Sequence, residues 1–351
     1  MIFPRLRCLS GASLIVFGML LSPAHAQLFE SNLQVFNYSY SYNVGGTLVT
    51  RTIPVKIYVN LGHVGDPGFG QPLPVVMYLH GAGERGNSWD VDNNSQVDSW
   101  TFSDSLKLVD RPAIYVAPRG IKDFATNDPE YLVNQALWGS TAPLGSNFGY
   151  DSLGEYWLNS YGSSDEYNHN NLPLSASLRG VFSLTDTLIT SPQLTLIDNS
   201  TLQLPAIDAN RQYIVGWSAG GDGAWDAVVR APGKYAAAIP ISGIGDPGAF
   251  FGSNAVAGLE SQPIRAFAGD SEGIDQQTSI AKMQAAMSSR GAIGTAQILP
   301  GQHHFTISNA VFDAQVNRDW LFAQSSAVIP EPAILSLCGV GLLILWRRSK
   351  A

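Results

Sequence analysis

An α/β architecture, a mostly parallel central sheet with helices on both faces, is what this sequence predicts, and three observations predict it. Short, nearly continuous apolar runs recur along the chain, as strands covered on both faces require. Helix-compatible stretches separate several of these runs, and strand–helix alternation builds parallel sheets. One long stretch rich in Asn, Ser, Gly and aromatic residues breaks the rhythm, so the sheet should carry an irregular, aromatic-rich insert.

Residues 33–60 open as β structure, VFNYSYSY and then LVTRTIPVKIYVN, because aromatic and β-branched residues alternate there. HVGDPGFGQPLP follows as a turn-rich break. PVVMYLH (74–80) and AIYVAP (113–118) read as buried strands, followed later by QYIVGW (212–217), AAAIPIS (236–242), PIRAFAG (263–269) and TAQILPG (295–301). Gly221–Val229 and Thr278–Ser289 read as helices between them. The insert covers about 119–175 and carries Trp138, Tyr150, Tyr156, Trp157, Tyr161 and Tyr167; a second interruption lies at 191–206. No internal repeat is visible. Sheets of this kind place their chemistry at the C-terminal strand ends.

The two ends read differently from the body. MIFPRLR, an apolar run from Ala12 to Leu21 and SPAHA before Gln27 make residues 1–26 a signal peptide, with small residues at Ala24 and Ala26. The apolar run is too short for a hydrocarbon core that needs roughly 20 residues. Residues 327–351 contain Pro330-Glu331-Pro332, an apolar stretch from Ala333 to Trp346, and then Arg347, Arg348 and Lys350. Those three parts in that order resemble the PEP-CTERM sorting tail of Gram-negative bacteria. The resemblance implies a transient transmembrane anchor, an exosortase-type processing enzyme as partner, and release to the cell surface or extracellular matrix. On this reading the membrane is touched only through the tail.

What remains is one body, residues 27–326. Both cysteines, Cys8 and Cys338, fall in the end segments, so the body has neither a disulfide nor a thiol. Its stability must come from a core, and roughly 300 residues suffice for one. The chain carries 20 basic and 28 acidic residues, and five of the basic ones lie in the end segments. The body is therefore strongly acidic, which excludes nucleic acid as a partner.

Gly216-Trp217-Ser218-Ala219-Gly220 fits G-x-S-x-G, follows a predicted strand and precedes a predicted helix. That context turns a common pentapeptide into a nucleophile elbow, with the serine hydroxyl pushed out above the sheet. An earlier loop, His80-Gly81-Ala82-Gly83, follows the strand PVVMYLH and suits one oxyanion donor; the N–H groups of Ala82 and Ala219 would form the pair. Six histidines are present, and His303 and His304 are the two that follow a late strand, as the order serine, acid, histidine requires. His304 is preferred because the stretch reads P-G-x-x-H-F, with His303 as the alternative base. The acid should come from GDSEGID, where Asp270, Glu272 and Asp275 are candidates. Glu272 is preferred, since three residues past the glycine that ends the strand an acid can turn back toward the histidine loop.

These segments resemble the α/β-hydrolase esterases, in the branch of poly(3-hydroxybutyrate)-depolymerase-like, feruloyl-esterase-like and "predicted peptidase" proteins. LPVVMYLHGAGERG, IDANRQYIVGWSAGGDGAWDAVVRAPGKYAAAIPISGIGDP, PIRAFAGDSEG and PGQHHF carry the resemblance over about half of the body. It implies an exported serine hydrolase of carboxylic esters that needs no cofactor. Ala219 stands where such proteins often have Met, and Glu272 where they often have Asp. The insert has no placeable counterpart, so the substrate stays open among small esters, a polyester and acylated polysaccharide. A serine peptidase, or an inactive binding or matrix-scaffold protein, are the alternatives. Asp90-x-Asp92-x-Asn94 opens like a calcium loop, but Ser95 and Thr101 occupy the sixth and twelfth places, so no metal is expected.

Overall fold

The computed structural model describes residues 33–81, 108–121, 169 and 174–326. The signal-peptide segment 1–26, the tail 327–351, the Asp90–Thr101 stretch, Ala82 and nearly all of the 119–175 insert lie outside the described residues.

An antiparallel pair starts the fold: β1 (Gln34–Val44) and β2 (Thr47–Asn60), joined by a Gly45-Gly46 turn with positive φ at both positions. On β1 every second side chain is buried or half-buried, so one face meets the core and the other meets solvent. β2 alternates up to Thr52 and then becomes wholly buried from Ile53 to Ile57. The change comes where β2 gains a second neighbour, β4 (Ala113–Pro118), through antiparallel pairing of Val55 with Pro118. Tyr38, Tyr40 and Tyr42 stack along the core face of β1, with centroids 6.1 and 5.8 Å apart. They seat α1 (Ala176–Thr190): Tyr38 hydrogen-bonds Ser183 and Thr187, and the Tyr40 hydroxyl donates to the Ala176 carbonyl at 2.7 Å.

From β3 (Leu73–Leu79) onward the sheet is parallel. β5 (Gln193–Thr195) and β6 (Thr201–Gln203) form a separate hairpin. β7 (Ile207–Trp217), β8 (Ala237–Ile241), β9 (Arg265–Gly269) and β10 (Thr295–Leu299) complete an eight-stranded sheet in the order β1-β2-β4-β3-β7-β8-β9-β10. β3 is buried at all seven positions, and its alternate residues serve two cores. Val75, Met77 and Leu79 pack with α1, α2 (Ala219–Arg230) and α3 (Ile274–Ser289) on one face. Val76 and Tyr78 pack with α4 (Ile307–Asp313) and α5 (Gln315–Ala323) on the other. Helices thus cover both faces, as the apolar runs predict.

The differences are local. The sequence reading names no helix over α1, α4 or α5. The 191–206 interruption is structured, with Asp198 accepting from Ser200 in the turn between β5 and β6. β7 begins at Ile207 rather than Gln212, its outer half exposed at Ala209 and Asn210 where apolar pattern gives no signal.

Candidate active site

The strand order makes β7, β8, β9 and β10 consecutive neighbours, so the loops after them gather at one edge. Ser218 follows β7 at φ 57°, a left-handed conformation in which a side chain is strained. The turn closes because its flanks lack side chains. A Cβ on Gly216 would lie 2.0 Å from the Gly220 carbonyl oxygen, and one on Gly220 would lie 1.9 Å from that of Leu79. Ser218 N–H donates to Ile241, which ties the elbow to β8, and Ala219 opens α2 behind it. The first N–H groups of a helix have no intrahelical acceptor, so negative charge is favoured there.

The loops after β9 and β10 are zipped together. Asp270 N–H donates to Leu299, Ser271 N–H to Gln302, and Gly301 N–H to the Asp270 carboxylate. Two more hydrogen bonds, from the Gln277 side chain to the Asp270 and Glu272 carbonyls, hold the acid loop against α3. His304 Nε2 lies 2.9 Å from Ser218 Oγ, and His304 Nδ1 lies 3.7 Å from Glu272 Oε2. The Glu272 side chain is fully buried. Its Oε1 accepts from the Ser242 hydroxyl at 2.5 Å, whereas Oε2 has no hydrogen-bond partner. With a carboxylate facing Nδ1, the tautomer protonated there leaves Nε2 as the acceptor for Ser218.

The structure therefore brings Ser218, His304 and Glu272 together and leaves the alternatives aside. His303 is exposed and accepts from the Phe305 N–H within its own turn. Asp270 is exposed and braces the histidine loop, and Asp275 is exposed in the first turn of α3. Ala219 is buried beside the serine. Ala82 is not among the described residues, but its predecessor is: Gly81 runs so close that a Cβ on it would lie 2.9 Å from the Trp217 ring. His80, fully buried, holds that loop by accepting from Gly120 N–H through Nε2 and donating through Nδ1 to the Gly81 carbonyl.

Three residues carry more of the site than sequence reasoning assigns them. Trp217, which the sequence shows only as a member of the elbow motif, is 6% exposed and works as a brace. Its indole N–H donates to the His304 carbonyl at 2.8 Å, and its ring lies 4.9 Å from the imidazole. Asp222, one turn along α2, is buried and accepts from Ile244 N–H at 2.6 Å, anchoring the loop after β8. Burial pushes its carboxyl well above the usual carboxylate range, and the Ile244 N–H offsets only part of that. His169, from the insert, pairs with buried Asp246 on the same loop, Nδ1 to Oδ2 at 2.5 Å.

No family model matches the chain, and no curated protein matches it. Solved structures do. A thermostable esterase superposes with a TM-score of 0.51 at 21% identity, over 85% of this chain and 64% of its own. The fold is that of the α/β hydrolases. The chain thus spans less than two thirds of that esterase's length. An S-formylglutathione hydrolase from Agrobacterium tumefaciens matches at 14% identity over 83% of this chain and 95% of its own, TM-score 0.45. A dienelactone hydrolase from Anabaena variabilis matches at 14% identity over 83% and 99%, TM-score 0.42. In this fold Ser218, Glu272 and His304 follow the C-terminal ends of β7, β9 and β10.

Proposed function

We propose that the protein is a serine hydrolase acting on carboxylic esters through an acyl-enzyme. The observation that carries this reading is the 2.9 Å approach of His304 Nε2 to a serine hydroxyl on a strained strand-to-helix turn. Ser218 Oγ attacks the ester carbonyl while His304 Nε2 takes its proton. Glu272, buried and facing Nδ1, fixes the imidazole tautomer and stabilises the imidazolium, which draws the 3.7 Å pair together. The N–H groups of Ala219 and Ala82 receive the oxyanion. The tetrahedral intermediate collapses as His304 returns the proton to the leaving alkoxide. Water then enters by the same base and releases the acid, leaving Ser218 free.

A fluorophosphonate probe tests this directly, because it phosphonylates only an activated serine. The full-length protein should be labelled at Ser218 and should hydrolyse p-nitrophenyl esters, while Ser218→Ala should lose both, with turnover falling by roughly 10⁶-fold as for other triad serines. Labelling that survives the substitution would place the nucleophile elsewhere. Neither labelling nor turnover in the unsubstituted protein would leave a binding or scaffold role. Graded acyl-chain lengths in the same assay would then rank the substrates.

A further inference from the structure

Among the described residues three non-glycine positions have positive φ: Asn199 at 65°, Ser218 at 57° and Ser242 at 54°. Asn199 sits in the β5–β6 turn, where asparagine adopts this conformation readily. The other two are serines at the tips of neighbouring strands, β7 and β8. Strain of this kind persists only where the surroundings over-determine the backbone, and it clusters at functional positions. Around Ser242 they do. Its N–H donates to the Phe267 carbonyl at 2.7 Å, Ile244 N–H to Asp222, and Gly245 N–H to Ser279 on α3. A glycine would occupy the position without strain, so what serine adds is its hydroxyl. That hydroxyl reaches one acceptor, Glu272 Oε1.

We propose that Ser242 is the positioning residue of the Glu272 carboxylate: its hydroxyl holds Oε1 and thereby leaves Oε2 turned toward Nδ1 of His304. The last torsion of a glutamate is broad and roughly two-fold, so nothing within the side chain itself chooses which way the carboxylate plane faces. Glu272 comes from a loop after β9, and it must be aimed at an imidazole on the loop after β10. A third strand end, that of β8, supplies the missing constraint. Trp217 sets the height of the histidine loop from β7, and Ser242 sets the rotation of the acid from β8. Ser242 touches no reacting atom; it acts through Glu272.

The inference rests on the serine-hydrolase reading, and the test separates the two. The rate of fluorophosphonate labelling, and kcat and KM for p-nitrophenyl esters, are followed for the full-length protein, Ser242→Gly and Ser242→Ala, with Ser218→Ala as the blank. Thermal unfolding is measured alongside. Ser242→Gly relieves the strained φ, so its unfolding midpoint should not fall. Its labelling should still be roughly tenfold slower near neutral pH, the scale of a lost hydrogen bond to a charged group. In ester turnover the loss should fall on kcat with KM unchanged, because Ser242 aims Glu272 and touches no reacting atom. Ser242→Ala should behave likewise in rate. A Gly variant that labels at the parent's rate and keeps the parent's kcat overturns the proposal. So does a slow Ala variant beside a fully active Gly variant, since backbone strain would then be the cause. A Gly variant that unfolds earlier would make the hydroxyl's role structural and would also sink it. Absence of Ser218 labelling in the parent would instead bring down the hydrolase reading itself.

Discussion

The two halves of the sheet are built on different rules. At the β1–β2 edge, pairing is antiparallel, side chains alternate between core and solvent, and the stacked tyrosines seat α1 through repeated contacts of one kind. The opposite half is parallel, and its unusual backbone lies at the C-terminal strand ends: two strained serines and glycines pressed against carbonyls. One half spends its residues on packing and the other on aim. That contrast teaches where stability and activity should come apart.

The largest effect should fall on the aiming half. Glu272→Gln keeps an acceptor for Ser242 but cannot hold an imidazolium, so kcat/KM for p-nitrophenyl esters should drop by roughly 10³- to 10⁴-fold. The unfolding midpoint should barely move. A loss under tenfold would mean that another group orients His304. In the packing half, Tyr40→Ala removes a buried ring against which Gly180 of α1 packs within 2.7 Å of a Cβ position. Denaturant titration should show a loss of about 3–5 kcal/mol, with kcat/KM of the folded protein unchanged. Impaired catalysis there would show that the halves are coupled.

The smallest and most diagnostic effect concerns Asp222, which sits between aim and packing. Its carboxyl is raised in the folded state, chiefly by burial, so the folded protein binds that proton more tightly than the unfolded chain. Its contribution is therefore most favourable at low pH and declines as pH rises past the unfolded carboxylate value of about 3.9. Asp222→Asn keeps the acceptor for Ile244 N–H and removes the ionisation, so it should match or exceed the parent's stability at neutral pH, with the advantage shrinking toward pH ~4. Asp222→Ala leaves that buried N–H unpaired and should cost about 1–3 kcal/mol. Equal pH dependence in parent and Asn variant would mean that Asp222 does not carry the linkage.

Much of this was legible before folding. Buried strands announce themselves as apolar runs, and the elbow announces itself because strand, glycines and helix all have to fall within thirteen residues. Choosing among Asp270, Glu272 and Asp275 had no comparable local rule, since three carboxylates within six residues look alike until one is buried. Ser242 was invisible for the same reason: a serine after an apolar run is how strand ends commonly read. Asp222 carries no local signal in the first turn of α2, and only tertiary packing makes it a buried anchor. α1 escaped notice because its sequence ASLRGVFSLTDTLIT mixes β-branched residues and hydroxyls with its apolar stripe.

By itself the sequence determined the layered α/β architecture, the turn that carries Ser218 and the loops that carry the candidate base and acid. All three follow from spacing along one chain: periodicity, glycine placement and strand-to-helix order. Tertiary structure alone decided which carboxylate faces His304, that Trp217 braces the base loop, and that a serine from a third strand holds the acid. Those depend on distances between residues 30 to 87 positions apart, which the sheet order sets and no local pattern encodes.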